Sequence, residues 1–472
     1  MTTTGPESCD LILRGAQVLT MDAQRTLYPA GAIAVRGHTI AAVGPEPDVV
    51  RRWRAPRVLD ADGGIVYPGF IDAHLHINAQ TCRGFFRGDT SKGGGTGPNY
   101  ADWKAALRPE DEQAAAALGC LELLRHGYTA FVEPGTAFEP DAIAVAAEAT
   151  GVRCSLADPY LWDDVSLMDV IGGLKSESLF ARVPPSGERA LKLLGGQLYR
   201  NRDKEGIVHG HVALYGEGTA SDALMRAAKT LADREEVVLN AHLGFDIDLA
   251  EAMEARWGRP RFAYLAELGV LGPNTTFVHM NVIRDGDVEP ILTSGLSIVW
   301  CPLAYLSRGT PRRLPTRSPE MRRRGAPVAL GTDSARQSTV GDAPFLAVHL
   351  AAEAGQPIIS EDAIEMVTLG GARAAGLDRL IGSLEPGKRA DIVVRRSDAV
   401  ELAPGIDPAH QLVTVGHGPT ADTVLVNGRV VMRGGRSTLV SEEAVVAEAR
   451  ASVGRMAERL GLGLPGRWPR GV

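Results

Sequence analysis

Cysteine is scarce and unpatterned in this sequence. Cys9, Cys82, Cys120, Cys154 and Cys301 are the five present, an odd number with no CxxC pair. That spacing excludes a disulfide framework and a thiolate-built structural zinc site, and reduced thiols in a cytoplasm are the expected state. No basic segment followed by an apolar run stands in Met1–Asp10, so no signal peptide is expected. Nowhere do about 18 apolar residues follow one another, so neither a transmembrane helix nor a membrane partner is expected. Positive charge is not in excess either. The net charge is -7, and nucleic-acid binding needs a basic face that this balance does not supply. The run Arg322–Arg324 is local and reads as a solvated helix face.

What is present is apolar material in quantity. Hydrophobic residues make up 44% of the 472 and charged residues 23%, ordinary for a globular protein with a large core. The length accommodates about two or three structural units. Residues 10–60 read as short strands with turns, including a hairpin around Arg36-Gly37 within Ala32–Gly44. The texture then changes. Helical patterns at Gln113–His126, Asp141–Thr150, Ala220–Arg234, Ala263–Leu268 and Val288–Ser294 each lead into a short apolar strand, and Pro327–Asp333 is a last strand. Such alternation implies parallel strands with crossover helices, and roughly eight repeats fit a closed barrel better than an open sheet. After residue 380 the β texture returns, with a hairpin at Asn427-Gly428, and Ser441–Leu460 reads as an amphipathic helix. The expected fold is α/β: a (β/α)8 TIM-type barrel over residues 67–380. A small β-sandwich formed from both chain ends, residues 1–66 and 381–440, accompanies it, and 441–472 is a helix and tail.

Active sites of such barrels sit at the C-terminal ends of the strands. The polar residues that end apolar strands here are His74, His76, His242, His279 and Asp333. His74 and His76 are two apart, so in a strand they point to one side while Leu75 points away. Two imidazoles at one strand end can bind one metal ion. His242 offers a third nitrogen and Asp333 a carboxylate, a set that suits a catalytic zinc ion with one position open to water, and that iron(II) or manganese(II) could also occupy. A lone strand-end histidine is usually only a satisfied polar residue. Several at barrel-like intervals, closed by an aspartate, are a metal site.

The motifs become specific at this point. Pro68–His76 resembles the opening metal motif of the amidohydrolase superfamily, and Leu330–Asp333 its closing motif. Gly371–Leu377 and Ile381–Val394 resemble the segment that returns the chain to its β-sandwich. Tyr264–His279 is similar to the branch containing chlorohydrolases and purine, pterin and adenosylhomocysteine deaminases. The resemblance implies a single metal held by His74, His76, His242 and Asp333, with His279 close to the metal-bound water or the substrate. No lysine stands in His211–Thr219 that could be carbamylated to bridge a second metal. The mechanism that follows uses a metal that lowers the pKa of water to about 7. Asp333 takes the proton and returns it to the departing nitrogen. His279, with the metal, stabilises the charge developing on oxygen. A small-molecule substrate and a homo-oligomer are expected.

Three departures from that branch all concern substrate. Ring deaminases and chlorohydrolases of the branch carry a glutamate three residues after the histidine of the fifth strand, and this chain has Phe245 there, followed by Asp246. Tyr215, within Tyr215-Gly-Glu217-Gly, stands near the position of a substrate-contacting histidine. Trp300–Tyr305 replaces the usual Asn-Pro-x-Ser-Asn run. A carbonyl C–N bond does not need the ring protonation that the missing glutamate supplies. Hydrolysis of an amide, urea or carbamate is therefore expected over ring deamination or dechlorination, with Asp246 as the acid that the alternative requires. A non-catalytic scaffold is the remote alternative. Phe245, Asp246, Tyr215, Glu217, Trp103, Phe86 and Tyr305 are the candidate substrate contacts. The long loop after the first strand has glycines at 93–95 that indicate a lid, and Phe85, Phe86 and Trp103 are candidates for an apolar wall. Cys82 reads as structural, and Glu133 either lines the site or caps structure.

Overall fold

The computed structural model describes residues 5–86, 99–171, 175–334 and 339–463. Parallel strands alternate with helices through its centre. We number them β1 (Phe70–Asp72), β2 (Tyr128–Val132), β3 (Arg153–Leu156), β4a (Val208–Gly210), β4b (Val212–Gly216), β5 (Leu239–Leu243), β6 (Thr275–His279), β7 (Ser297–Trp300) and β8 (Val328–Leu330). Tyr215 apart, every residue of these strands is buried. Strands covered on both faces have no wet side, which is why the sequence shows apolar runs here and not alternation.

β4a, β3, β2 and β1 form a four-stranded parallel sheet, and β4b through β8 a five-stranded one in chain order. The two adjoin at both edges. Only His211 separates β4a from β4b, and its N–H donates to Leu156 O at 3.0 Å. At the other edge Ala73 N–H donates to Leu330 O at 3.1 Å and Asp333 N–H to His74 O at 2.9 Å. This is a TIM-barrel-like α/β fold.

The helices expected from periodicity form, generally starting a little upstream of the apolar pattern. Pro109–Arg125 and Pro140–Thr150 begin on prolines, and Asp222–Arg234 is capped by the Ser221 hydroxyl on Leu224 N–H. The described residues of the connection from β3 to β4a hold three short α-helices, Met168–Ile171, Glu177–Arg182 and Gly187–Leu193, that the pattern does not announce. Each is too short to display an apolar stripe.

Both chain ends enter one nine-stranded sheet. Its join is the antiparallel pair Ile65–Pro68 with Ile392–Arg395, in which Pro68 faces Ile392 and Ile65 faces Arg395. The last N-terminal strand of this sheet is Ile65–Pro68. The Asn427-Gly428 turn has both residues left-handed, φ 53° and 77°, as a two-residue hairpin of this type requires. The final helix, Glu442–Leu460, docks on Pro109–Arg125: Ser452 Oγ donates to Asp111 Oδ1 at 2.8 Å and Arg459 Nη1 to Asp111 Oδ2 at 2.9 Å.

Candidate metal centre

The C-terminal ends of β1, β5, β6 and β8 bring the strand-end residues together. Asp72, the last residue of β1, is a buried clamp. Its carboxylate accepts from His74 N–H at 3.2 Å, Thr332 N–H at 3.0 Å and Thr332 Oγ1 at 2.5 Å, tying the ends of β1 and β8. Gly331 allows the close approach, since a Cβ there would lie 2.8 Å from His74 Cβ. Burial raises the Asp72 carboxyl to about 7, against its hydrogen bonds to Thr332 and His74.

His74, His76 and His242 each offer one ring nitrogen, and the three nitrogens lie within 4.8 Å of one another. The rings of His74 and His76, and of His74 and His242, are 4.8 Å apart and nearly perpendicular, at 86° and 87°. His279 joins the group, its ring 5.5 Å from that of His242. Asp333 Oδ1 lies 3.1 Å from His76 Nε2 and 3.9 Å from His74 Nε2. His279 and Asp333 hold left-handed backbone at φ 77° and 66°. That costs energy in residues with a Cβ and recurs at functional sites.

The hydrogen bonds fit these residues to a cation. His76 Nδ1 is 2.6 Å from Thr136 Oγ1, and His242 Nδ1 is 2.5 Å from Tyr215 O, so each ring is held by its rear nitrogen with Nε2 left for the cluster. Neither nitrogen of His74 has a hydrogen-bond partner among the described residues, nor has His279 Nδ1, although all are buried. Buried imidazole nitrogens without partners are costly unless something binds them. Burial, then the neighbouring imidazoles, holds His74 and His242 well below the usual histidine range, and burial pushes His279 down to about 4. All three shifts favour the neutral ring, the form that ligates. Burial opposes ionisation of Asp333, but the His76 hydrogen bond and the surrounding rings outweigh it and hold the carboxyl well below its ordinary value.

The predicted substrate contacts divide. Tyr215 lies against the cluster, its ring stacked on His242 at 4.9 Å, at a register shift of β4b that Gly216 permits with φ 124°. Phe245 stands edge-on to His279 at 4.7 Å, and the Arg308 guanidinium covers its ring at 3.8 Å. The other candidates are committed elsewhere. Asp246 caps the helix Ile247–Trp257, accepting from Asp248 N–H at 2.8 Å. Glu217 is locked by Arg261 Nη1 at 2.9 Å and Gly244 N–H at 2.7 Å. Tyr305 is buried with its hydroxyl donating to Leu314 O. Trp103 and Phe86 pack with Cys82, Leu107 and Met456, Met456 coming from the final helix. The glycines at 93–95 lie outside the described residues. Sequence reasoning missed Asp72, Thr136 and Arg308. Thr136 follows Glu133-Pro134-Gly135, a strand-end turn that was a usable signal; nothing local marks Arg308.

The sequence profile of the amidohydrolase family matches residues 65–431, and the chain belongs to that family. Among curated relatives, a 5-methylthioadenosine/S-adenosylhomocysteine deaminase of Pelotomaculum thermopropionicum is 27% identical, covering 95% of this chain and 99% of its own. A 5'-deoxyadenosine deaminase of Methanosarcina mazei is also 27% identical, over 96% and 99%. Among solved structures, an adenosine deaminase from Xanthomonas campestris with bound zinc superposes with a TM-score of 0.80 at 23% identity, over 96% and 100% of the two chains. The atrazine chlorohydrolase of Arthrobacter aurescens TC1 complexed with zinc gives 0.78 at 23%, over 94% and 100%.

Proposed function

We propose that this protein is a hydrolase using one divalent metal ion to cleave a non-peptide C–N bond, with an amide, urea or carbamate-type small molecule as substrate. The observation that carries the substrate class is the position three residues beyond His242. An apolar ring stands there under a guanidinium, and the nearest acid, Asp246, is spent on a helix cap. The residue three beyond His242 thus offers no carboxylate for protonating a ring nitrogen, whereas a carbonyl needs only its oxygen polarised.

His74, His76, His242 and Asp333 would hold the ion, zinc foremost because the structural relatives were crystallised with zinc, and iron(II) or manganese(II) by ligand type. Such an ion supplies Lewis acidity and makes water a nucleophile near neutral pH. Asp333, ionised and beside His76, takes the proton from the attacking water on its carboxylate and delivers it to the departing nitrogen. His279, neutral, donates a hydrogen bond to the substrate oxygen as negative charge develops there. Tyr215 and Phe245 flank the imidazoles with apolar surface and keep bulk water from the reacting carbon.

A second reading, deamination of an adenosine-type ring, has one observation in its favour: the curated relatives are named as such deaminases. Assay of the zinc-loaded protein separates the two. Turnover of aryl-urea, carbamate or amide panels with negligible attack on adenosine, methylthioadenosine or triazines is expected, and rapid ring deamination overturns the carbonyl reading.

We also infer that the two parallel sheets close as a (β/α)8 barrel and that the nine-stranded sheet folds as a β-sandwich, with units near 1–66, 67–380, 381–440 and 441–472. The adjoining sheet edges and the shared chain-end sheet support this. Cytoplasmic operation accords with five buried cysteine thiols. Homo-oligomer formation accords with the exposed apolar residues Ile359, Val400, Ile406 and Val415.

A further inference from the structure

We propose that Thr136 and Glu133 are positioning residues that set the proton on His76 and so aim its Nε2 lone pair into the metal site. The inference rests on the metal reading given above. Glu133 directly follows β2 and is wholly buried. Its carboxylate accepts from Gly135 N–H at 2.8 Å, Thr136 N–H at 3.0 Å and Ala137 N–H at 3.0 Å, so the Pro134-Gly135 turn folds around it. It also accepts from Thr136 Oγ1 at 2.7 Å. A threonine hydroxyl has one proton. With that proton on Glu133 Oε1, Thr136 Oγ1 can only accept from His76 Nδ1, 2.6 Å away. With an ion bound, the ring proton of His76 would therefore sit on Nδ1, and Nε2, which faces Asp333 Oδ1 at 3.1 Å, would turn its lone pair to the ion. His242 reaches the same state by another route, because Tyr215 O is a carbonyl and can only accept from His242 Nδ1. The chain thus uses two unrelated acceptors, one on the turn after β2 and one on β4b, to fix the same tautomer in two rings.

Partners of this kind typically change metal affinity by about 10- to 100-fold when removed. The test is zinc retention against a chromophoric chelator, with thermal unfolding of the metal-free proteins measured alongside. Thr136→Val, which keeps the shape and loses the acceptor, should bind zinc about 10- to 100-fold more weakly than wild type. Thr136→Ser should restore binding to within about threefold. Metal-free Thr136→Val should melt close to metal-free wild type, a result a merely structural threonine does not give. Zinc affinity of Thr136→Val equal to wild type overturns the proposal. Should Thr136→Val fail to fold, Glu133→Gln carries the same measurement: a weaker acceptor lets the Thr136 hydroxyl turn toward His76, and unchanged zinc affinity there also overturns the proposal. A wild-type protein that takes up no zinc, iron or manganese defeats the metal reading itself, and is distinguishable from both outcomes.

Discussion

Two clusters of buried charge and imidazole lie at different places in this molecule, and they differ in how their polar atoms are satisfied. At the junction of the central parallel strands and the chain-end sheet, Arg153 donates from Nε and Nη2 to Asp391 at 2.9 and 3.0 Å, and its Nη1 faces His209 Nε2 at 3.2 Å. Asp391 also accepts from Asn427 N–H at 2.7 Å. Nearby, Arg395 donates to Tyr67 Oη at 2.8 Å, His126 O at 3.0 Å, Gly416 O and Thr420 Oγ1. At the C-terminal strand ends, equally buried imidazoles of His74 and His279 keep nitrogens that no described residue meets. Burial does not separate the two clusters; the pairing of their charged and imidazole groups does. At the junction Arg153, Asp391 and His209 meet one another, whereas at the strand ends both nitrogens of His74 and Nδ1 of His279 have no partner among the described residues.

The sharpest way to break that contrast is to exchange the consequences of mutation at the two places. Asp333→Asn should lower kcat by about 100- to 10,000-fold, the usual worth of a positioned proton carrier, with a urea midpoint near wild type. Turnover within a few-fold of wild type would remove Asp333 from the chemistry. Arg153→Met should do the reverse. Leaving Asp391 buried without its partner should cost about 3–5 kcal/mol in urea unfolding, while turnover per folded molecule stays unchanged. Loss of activity with intact stability would erase the distinction between the two clusters.

A smaller effect belongs to His209. Burial, then the Arg153 charge, pushes its ring from an ordinary 6.5 to about 4 in the folded protein. The unfolded chain therefore takes up this proton first as pH falls. The stability from His209 is complete above pH 6.5 and is lost between pH 6.5 and 4, as the ring that accepts from Arg153 becomes cationic, by at most roughly 3 kcal/mol. Asp391, Arg389 and Asp203 also act on this ring. Urea unfolding at stepped pH should show the decline, and His209→Gln should flatten part of it. An identical slope in the variant assigns the decline to other groups. Least of all, Tyr305→Phe should cost about 1 kcal/mol, one buried hydrogen bond, and leave substrate preference untouched. A changed preference would bring Tyr305 back to the site from its bond to Leu314.

The sequence by itself determined what is local. The strands of the central unit are apolar runs, and several of them lead into a polar residue, so β–α alternation and the strand-end set His74, His76, His242, His279 and Asp333 were legible from spacing and a two-residue period. The hairpin at Asn427-Gly428 was legible for the same reason, because its backbone demands are met by the two residues that occupy it. Tertiary structure decided which polar atoms are already taken. Asp246 is an acid beside the metal strand in sequence, yet the start of a helix claims it. Glu217 looked available until Arg261, from a helix far along the chain, closed on it. Thr136 and Arg308 acquire roles only where the fold sets them against His76 and Phe245. A side chain's chemistry is written in its type, but its availability depends on partners that only folding brings within hydrogen-bonding distance. For that reason the histidine pair could be read from the chain, and the proton that aims one of its members could not.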